Sequence, residues 1–277
     1  MTDLVAEDAW RAFWNKGGWW RALLVAAVYL LLYLGTSVVT STVFAEFIDP
    51  EDVFGTAGSV FFAVALPILI GGLLLLAFAI SLGWLGDLFG PQPIAGRRWM
   101  WIAVALVAIP IVLRLFGTDW AALSVGVVAA TLFMGLCVGF AEELLTRGIA
   151  VTLLRRAGYG EKLVMVVSSA LFALLHSANI LEGQAPLTVL LTVVYAFGFG
   201  VMMYLVLRVT GSLVWPMLLH AATDPTTALA TGGIDQATSA AGSAGLIGIA
   251  GVFNVIYPLF AIVAIVLVKG KVAPRPS

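Results

Sequence analysis

Residues 121–147 read AALSVGVVAATLFMGLCVGFAEELLTR, and this stretch decides the class of fold. Its first part is an almost wholly apolar run of about 20 residues, the length that a helix needs to cross the hydrocarbon core of a bilayer. The stretch then ends on two adjacent glutamates and an arginine, Glu142, Glu143 and Arg147. Ionisable side chains at membrane depth cost several kcal/mol each, so groups of this kind mark a candidate functional site.

The composition of the whole chain also indicates a membrane protein. Of its 277 residues, 62% are hydrophobic and 10% are charged, whereas soluble domains carry about 25% charged residues. The net charge of −1, with no basic tract longer than a pair, argues against a nucleic-acid partner. A single cysteine, Cys137, rules out an intrachain disulfide and a thiolate metal cluster. The acidic start of the chain does not resemble a secretory signal peptide.

Eight apolar runs are long enough to span a bilayer as helices. They predict an all-α polytopic membrane bundle that forms one domain over residues 1–277. The runs lie near residues 22–44, 59–84, 99–116, 121–146, 162–181, 187–207, 212–231 and 245–268. We expect the fourth run to continue as a helix to about Arg156 and the functional core to cover about 121–231.

Residues 1–20 form a separate segment before the first span. Within it, Trp10, Phe13 and Trp14 recur at helical spacing. This pattern predicts a short interfacial helix at the membrane surface. A frayed tail with aromatic anchors explains the same residues equally well.

The lysines and arginines predict the orientation in the membrane. With eight spans, nearly all the basic loops fall on one side, with Arg11, Lys16, Arg21, Arg97, Arg98, Arg155, Arg156, Lys162, Arg208, Lys269, Lys271 and Arg275. The opposite loops carry Glu46, Asp49, Glu51, Asp52, Glu182 and Asp235, with Arg114 and Asp119 as a mixed exception. By the positive-inside rule, both termini are expected in the cytoplasm. The chain is expected to be a multi-pass protein of the inner (plasma) membrane.

The two adjacent glutamates point about 100° apart on a helix, so we expect them to have different roles. Glu143 and Arg147 are four residues apart and can form an ion pair. Glu142 then becomes the candidate general base. The alternative is a purely structural pair beside a glutamate that faces a helix terminus.

The only two histidines of the chain also lie in apolar spans. His176 follows Phe172 by four residues, so the two share a helix face. His220 and Asp224 share a face in the same way, and can present a nitrogen and an oxygen to one metal ion or one substrate carbonyl. A histidine that hydrogen-bonds a neighbouring helix, or a local His–Asp contact, is the structural alternative.

Depth in the membrane links these groups. If each helix is continuous, Glu142, His176 and His220 lie thirteen, fourteen and twelve residues from the basic residues Arg155, Lys162 and Arg208. At the helical rise these spacings correspond to about 18–21 Å. Three separate helices would therefore bring their polar groups to one level, and an active site within the membrane is predicted.

The three motifs resemble those of the type II CAAX prenyl protease and bacteriocin-processing (CPBP) family of intramembrane endopeptidases. The matching residues are Glu142, Glu143 and Arg147, then Phe172 and His176, then His220 and Asp224. The order agrees with that of the family. The eukaryotic branch usually has asparagine at the last position, whereas this chain has Asp224, as many prokaryotic members have aspartate.

The resemblance implies that Glu142 and His176 activate a water molecule for peptide-bond hydrolysis inside the membrane. His220 and Asp224 would stabilise the oxyanion or help to bind a metal. An ionised carboxylate cannot donate a hydrogen bond to an oxyanion, so a zinc site formed by Glu142, His176, His220 and Asp224 stays open.

The expected substrate is a peptide or protein with an apolar or lipidated segment, which enters from the bilayer into a cavity open to the cytoplasm. The alternative is a non-catalytic bacteriocin-immunity or scaffold protein that binds a partner in the same cavity. A small transporter is less well supported, because the sequence shows no inverted repeat.

Overall fold

The computed structural model describes residues 8–234 and 245–273, and within them helices are the only regular secondary structure. Ten helices are used below: α1 Ala9–Asn15, α2 Trp19–Val43, α3 Ala57–Ser81, α4 Leu85–Phe89, α5 Arg98–Gly117, α6 Val125–Arg156, α7 Glu161–Glu182, α8 Pro186–Thr210, α9 Val214–Thr231 and α10 Leu246–Leu267. In this part of the chain, seven helices are long and apolar enough to cross a membrane, namely α2, α3, α5, α6, α7, α8 and α10. The predicted all-α membrane bundle is confirmed, as is the extension of the fourth run to Arg156.

Contacts between loops define one end of the bundle, which we call the basic end. Arg11 Nε donates to the carbonyl of Ser81 at 3.2 Å, which joins α1 to the end of α3. Arg208 Nη2 donates to the carbonyl of Ala95 at 3.1 Å, and the amide of Glu161 donates to the carbonyl of Gly270 at 2.9 Å. The N-terminal segment, the loop before α5, the turn between α6 and α7, the end of α8 and the C-terminal segment therefore lie together.

The remaining loops meet at the opposite end, which we call the acidic end. The amide of Asp49 donates to the hydroxyl of Ser59 at 2.7 Å, so the loop after α2 packs on the start of α3. The start of α6 lies beside the start of α3, and the end of α5 faces Leu246 and Ile247 at the start of α10. The predicted separation of charges is therefore also a separation in space, apart from Asp235 and Arg275, which lie outside the described residues.

Helix α9 corresponds to the seventh predicted span, near residues 212–231, and it is absent from the seven apolar candidates. It carries His220, Asp224 and several threonines, which lower its hydropathy. It nevertheless crosses the bundle, because α8 ends at the basic end and α10 begins at the acidic end. Eight helices therefore connect the two ends, and both ends of the described chain lie at the basic end.

Small residues allow α6 and α9 to pack closely. A Cβ atom on Gly139 would come closer than 3.0 Å to the carbonyl of Met217 and the amide nitrogen of Ala221. A Cβ on Gly135 would meet Pro225 and the carbonyl of Ala221 in the same way. The two backbones are therefore in near contact, as is typical of small-residue faces in membrane helices. This contact brings the glutamates of α6 to the histidine of α9.

We expect Gly139→Ala to lower the free energy of unfolding by about 1–3 kcal/mol, because a backbone atom cannot move aside for the new methyl group as a side chain can. Gly126→Ala is the matched control on the same helix, since its Cβ would make only an ordinary 3.5 Å contact with Ala57. Both variants can be compared with the parent by denaturation in detergent micelles. Equal stability of the two variants would contradict this account of the α6–α9 contact.

Candidate active site

The part of α6 that carries Glu142, Glu143 and Arg147 contains a change in helix type. Its hydrogen bonding is α-helical over Val125–Glu143, π-helical over Leu144–Ala150 and α-helical again over Val151–Arg156. The Thr146 hydroxyl donates to the carbonyl of Glu142 at 2.6 Å and accepts from Arg147 Nη1 at 2.6 Å. Single π-helical turns of this kind are rare and occur frequently at functional sites.

The predicted pair of Glu143 and Arg147 is present. Arg147 Nη1 lies 2.9 Å from Glu143 Oε1, and both side chains are fully buried. The guanidinium carbon also lies 4.6 Å from the centre of the Phe172 ring, a cation–π contact between α6 and α7. The cation is therefore held by a carboxylate on one side and by an aromatic face on another.

The structure adds a contact that the sequence did not predict. Glu143 Oε1 also lies 2.8 Å from His220 Nδ1, so one carboxylate oxygen joins Arg147 to the imidazole of α9. Since a carboxylate only accepts hydrogen bonds, Nδ1 is the donor in this contact. The contact sets the orientation of the ring and directs the other nitrogen, Nε2, away from Glu143.

His220 Nε2 faces the two remaining acidic groups. It lies 3.4 Å from Asp224 Oδ2 and 3.7 Å from Glu142 Oε2. The edges and faces of Phe172 and Phe199 enclose the ring, with centroids at 5.7 and 4.9 Å. The two adjacent glutamates thus reach the same imidazole, one at each nitrogen, although they point to different faces of α6.

The chain reaches His220 through a helix break, whereas the sequence spacing suggested a continuous helix. The assumption of a continuous helix from Arg208 to His220 is wrong, because α8 ends at Thr210 and Gly211 adopts a left-handed conformation with φ of 73°. Helix α9 begins at Val214, and the side chain of Leu213 lies next to Gly148. Helix α9 therefore starts inside the bundle, so that six residues, about 9 Å, are enough to reach the level of Glu143.

His176 lies where the α-helical part of α7 tightens into the 3-10 turn His176–Glu182. Its Nδ1 is 3.1 Å from the carbonyl of Phe172, and its ring packs edge-on to the Phe172 ring at 4.9 Å. A carbonyl can only accept, so Nδ1 carries the proton and Nε2 is the acceptor in the neutral ring. This is the arrangement that a proton-accepting imidazole requires.

One cavity of about 520 Å³ brings the predicted residues together. Its lining includes Glu142, Phe172, His176, His220 and Asp224. Five further aromatic residues form part of its wall, namely Tyr29, Tyr33, Phe54, Tyr195 and Phe199. The sequence analysis did not predict that these residues line the site. The two tyrosines of α2, one helical turn apart in an apolar helix, could have indicated a polar cavity, because a buried tyrosine usually needs a polar partner.

The cavity lies between the middle of the bundle and the acidic end. Glu51, Asp52 and Glu182 contribute to its lining, and so does Gly232, just after the end of α9. Two sequence predictions therefore exclude each other: the basic loops and the mouth of the cavity cannot both face the cytoplasm. The structure places the opening of the cavity at the acidic end, away from the basic loops, and the side that faces the cytoplasm stays a prediction.

The possible metal site would take its donors from Glu142, His176, His220 and Asp224. Within residues 8–234 and 245–273, no group of three or more His, Cys, Asp or Glu side chains has an arrangement that could hold a metal ion. Structural and catalytic zinc sites use at least three protein ligands. The present arrangement of Glu142, His176, His220 and Asp224 therefore does not fit a preformed zinc site.

Comparison with known families supports the interpretation of these motifs. Residues 123–226 match the model of a family described as type II CAAX prenyl endopeptidase Rce1-like. No curated protein and no solved structure matches the chain. The matched range contains all three motifs, from Glu142 to Asp224. The resemblance stated from the sequence is confirmed for residues 123–226, the part of the chain that matches this family model.

Proposed function

We propose that the chain is an intramembrane endopeptidase that hydrolyses a peptide bond of a membrane-associated or lipid-tailed substrate. The main support is the cavity within the membrane bundle. Its wall combines a glutamate, two histidines and an aspartate from three helices, in a segment that matches a protease family. The bilayer itself is the first partner, because an apolar or lipidated tail has to reach the cavity laterally.

In the proposed reaction, Glu142 and His176 activate the attacking water. Glu142 has 19% of its side chain exposed in the cavity, so its carboxylate can accept a proton from a water molecule. The hydroxide attacks the carbonyl carbon, and the C–N bond then breaks as the proton passes to the leaving nitrogen. His176 Nε2 accepts a hydrogen bond from the same water and aligns it for attack.

His220 acts on the developing oxyanion in this mechanism, and Asp224 acts on His220. An N–H at His220 Nε2 donates to the oxyanion, while Glu143 holds the ring through Nδ1. Asp224 Oδ2 lies 3.4 Å from Nε2, so the two side chains interact. An ionised carboxylate only accepts hydrogen bonds and cannot donate one to the oxyanion. Asp224 therefore positions the imidazole and balances its charge.

The test of this proposal is the variant His176→Ala. We expect cleavage to fall by about 100-fold or more, the contribution of a positioned acid–base group. Asn179→Ala is the matched control, because Asn179 lies in the same 3-10 turn and lines the same cavity. Turnover of a library of membrane-anchored peptides in proteoliposomes gives the rates, and thermal unfolding reports on folding. A His176→Ala variant that cleaves at the parental rate would refute the assignment.

A metal requirement is tested separately. The metal content of the purified protein is measured, and the peptide library is cleaved with and without a chelator. Cleavage that survives the chelator supports the mechanism above. Loss of cleavage together with one equivalent of zinc would instead support zinc bound by residues of this site, after a rearrangement of the side chains.

A further inference from the structure

We infer that the candidate site receives its substrate from the extracytoplasmic side of the membrane. Its substrates would then be exported or membrane-anchored polypeptides whose scissile bond lies outside the cytoplasm. The reaction in this inference rests on the proposed function, whereas the side on which the cavity opens does not.

The first observation is the concentration of positive charge at the basic end. Of the 14 lysines and arginines of the chain, the following lie there: Arg11, Lys16, Arg21, Arg97, Arg98, Arg155, Arg156, Lys162, Arg208, Lys269 and Lys271. Three contacts join the segments that carry them, from Arg11 to Ser81, from Arg208 to Ala95 and from Glu161 to Gly270. They are therefore on one side of the membrane.

The second observation is the charge of the opposite end. Its described acidic residues are Glu46, Asp49, Glu51, Asp52, Asp119 and Glu182. Arg114 is the only cation among the described residues there, and it is buried, with 5% of its surface exposed. The orientation of a membrane protein follows the excess of Lys and Arg in short loops, which remain in the cytoplasm. The basic end is therefore the cytoplasmic one.

The third observation is the position of the cavity between these two ends. Its outer lining is formed by Glu51, Asp52 and Glu182 of the acidic end. The lining also includes the site residues Glu142 and His220, but none of the lysines and arginines of the basic end. The cavity thus leads from the acidic end down to the site and stops there.

The cytoplasmic side below the site is closed by a buried polar cluster. Glu161 accepts from Arg155 Nε at 2.8 Å and from Arg208 Nη1 at 2.9 Å, and Tyr204 also donates to it. Glu161 is fully buried, and Arg208 is 2% exposed. A separate cavity of about 150 Å³ at this end reaches Arg147, but its lining includes none of Glu142, His176 and His220. A peptide therefore has its open route to the site from the acidic end.

Single-cysteine labelling tests this inference. In a Cys137→Ala background, Asp52→Cys places a thiol at the mouth of the cavity and Lys162→Cys places one at the basic end, and both positions are exposed. Intact bacterial cells that express the full chain are treated with a membrane-impermeant maleimide, before and after permeabilisation. We expect Asp52→Cys to react in intact cells and Lys162→Cys to react only after permeabilisation.

The opposite pattern, or reaction of both thiols in intact cells, would overturn the inference. The same measurement on a His176→Ala variant separates sidedness from catalysis, since labelling requires no turnover. A loss of cleavage with unchanged labelling therefore leaves the sidedness intact. Unchanged cleavage in His176→Ala would refute the proposed function and still leave the side of the mouth determined.

Discussion

Glu142→Gln is expected to abolish peptide-bond hydrolysis and to leave the bundle folded. The amide has nearly the same shape as the carboxylate but cannot take a proton from water at neutral pH. A general base contributes about 10²–10⁴-fold to a rate, so the residual turnover should be at least 100-fold below that of the parent. Cleavage of membrane-anchored peptides in proteoliposomes measures the loss.

Glu51→Gln provides the control for this result. Glu51 lines the same cavity, so its replacement removes the same charge near the mouth without touching the proposed base. We expect the control to retain turnover of the same order as the parent, and both variants to melt near the parental temperature. If Glu142→Gln and Glu51→Gln lose activity equally, the loss comes from the charge of the cavity, and Glu142 is not the base.

Arg147→Met should produce the largest loss of stability. The substitution removes the arginine from the fully buried carboxylate of Glu143 and leaves it only the hydrogen bond from His220. Removing one partner from a buried ion pair costs about 3–5 kcal/mol, because the other charge stays buried and uncompensated. Methionine keeps most of the side-chain volume above Phe172, so the effect is attributable to charge. Unfolding in detergent micelles by a graded denaturant measures it.

The double variant Glu143→Gln/Arg147→Met tests this explanation. With both charges removed, no uncompensated ion remains, and we expect much of the lost stability to return. Activity should not return, because His220 loses the carboxylate that orients its ring. A double variant as unstable as Arg147→Met alone would show that the arginine contributes mainly through packing.

Local contacts of the site were predictable from the sequence. The contacts of Arg147 with Glu143, of His176 with Phe172 and of His220 with Asp224 all join residues four apart, and the geometry of a helix brings such pairs together. The membrane class and the family resemblance were predictable for a similar reason. They depend on composition and on motifs that are contiguous or nearly so.

Contacts between helices were not predictable in the same way. The hydrogen bond of His220 to Glu143 joins residues 77 positions apart, and Phe199 reaches the same imidazole from a third helix. Each depends on how far one helix is shifted along another. The α6–α9 contact at Gly139 and the break at Gly211 determine that shift. Neither feature can be deduced from the spacing of residues along the sequence.

The polarity of α9 has a consequence for the biogenesis of the protein. A helix that carries a histidine and an aspartate near its middle is a poor substrate for independent insertion by the translocon, where a central aspartate alone costs about 2.5–3.5 kcal/mol. Helix α9 has to partition into the bilayer together with an apolar neighbour, and α10 is the next one to leave the ribosome. The acid–base groups of the proposed mechanism are therefore assembled only after α9 has left the ribosome, and a translation product truncated before His220 would lack two of them.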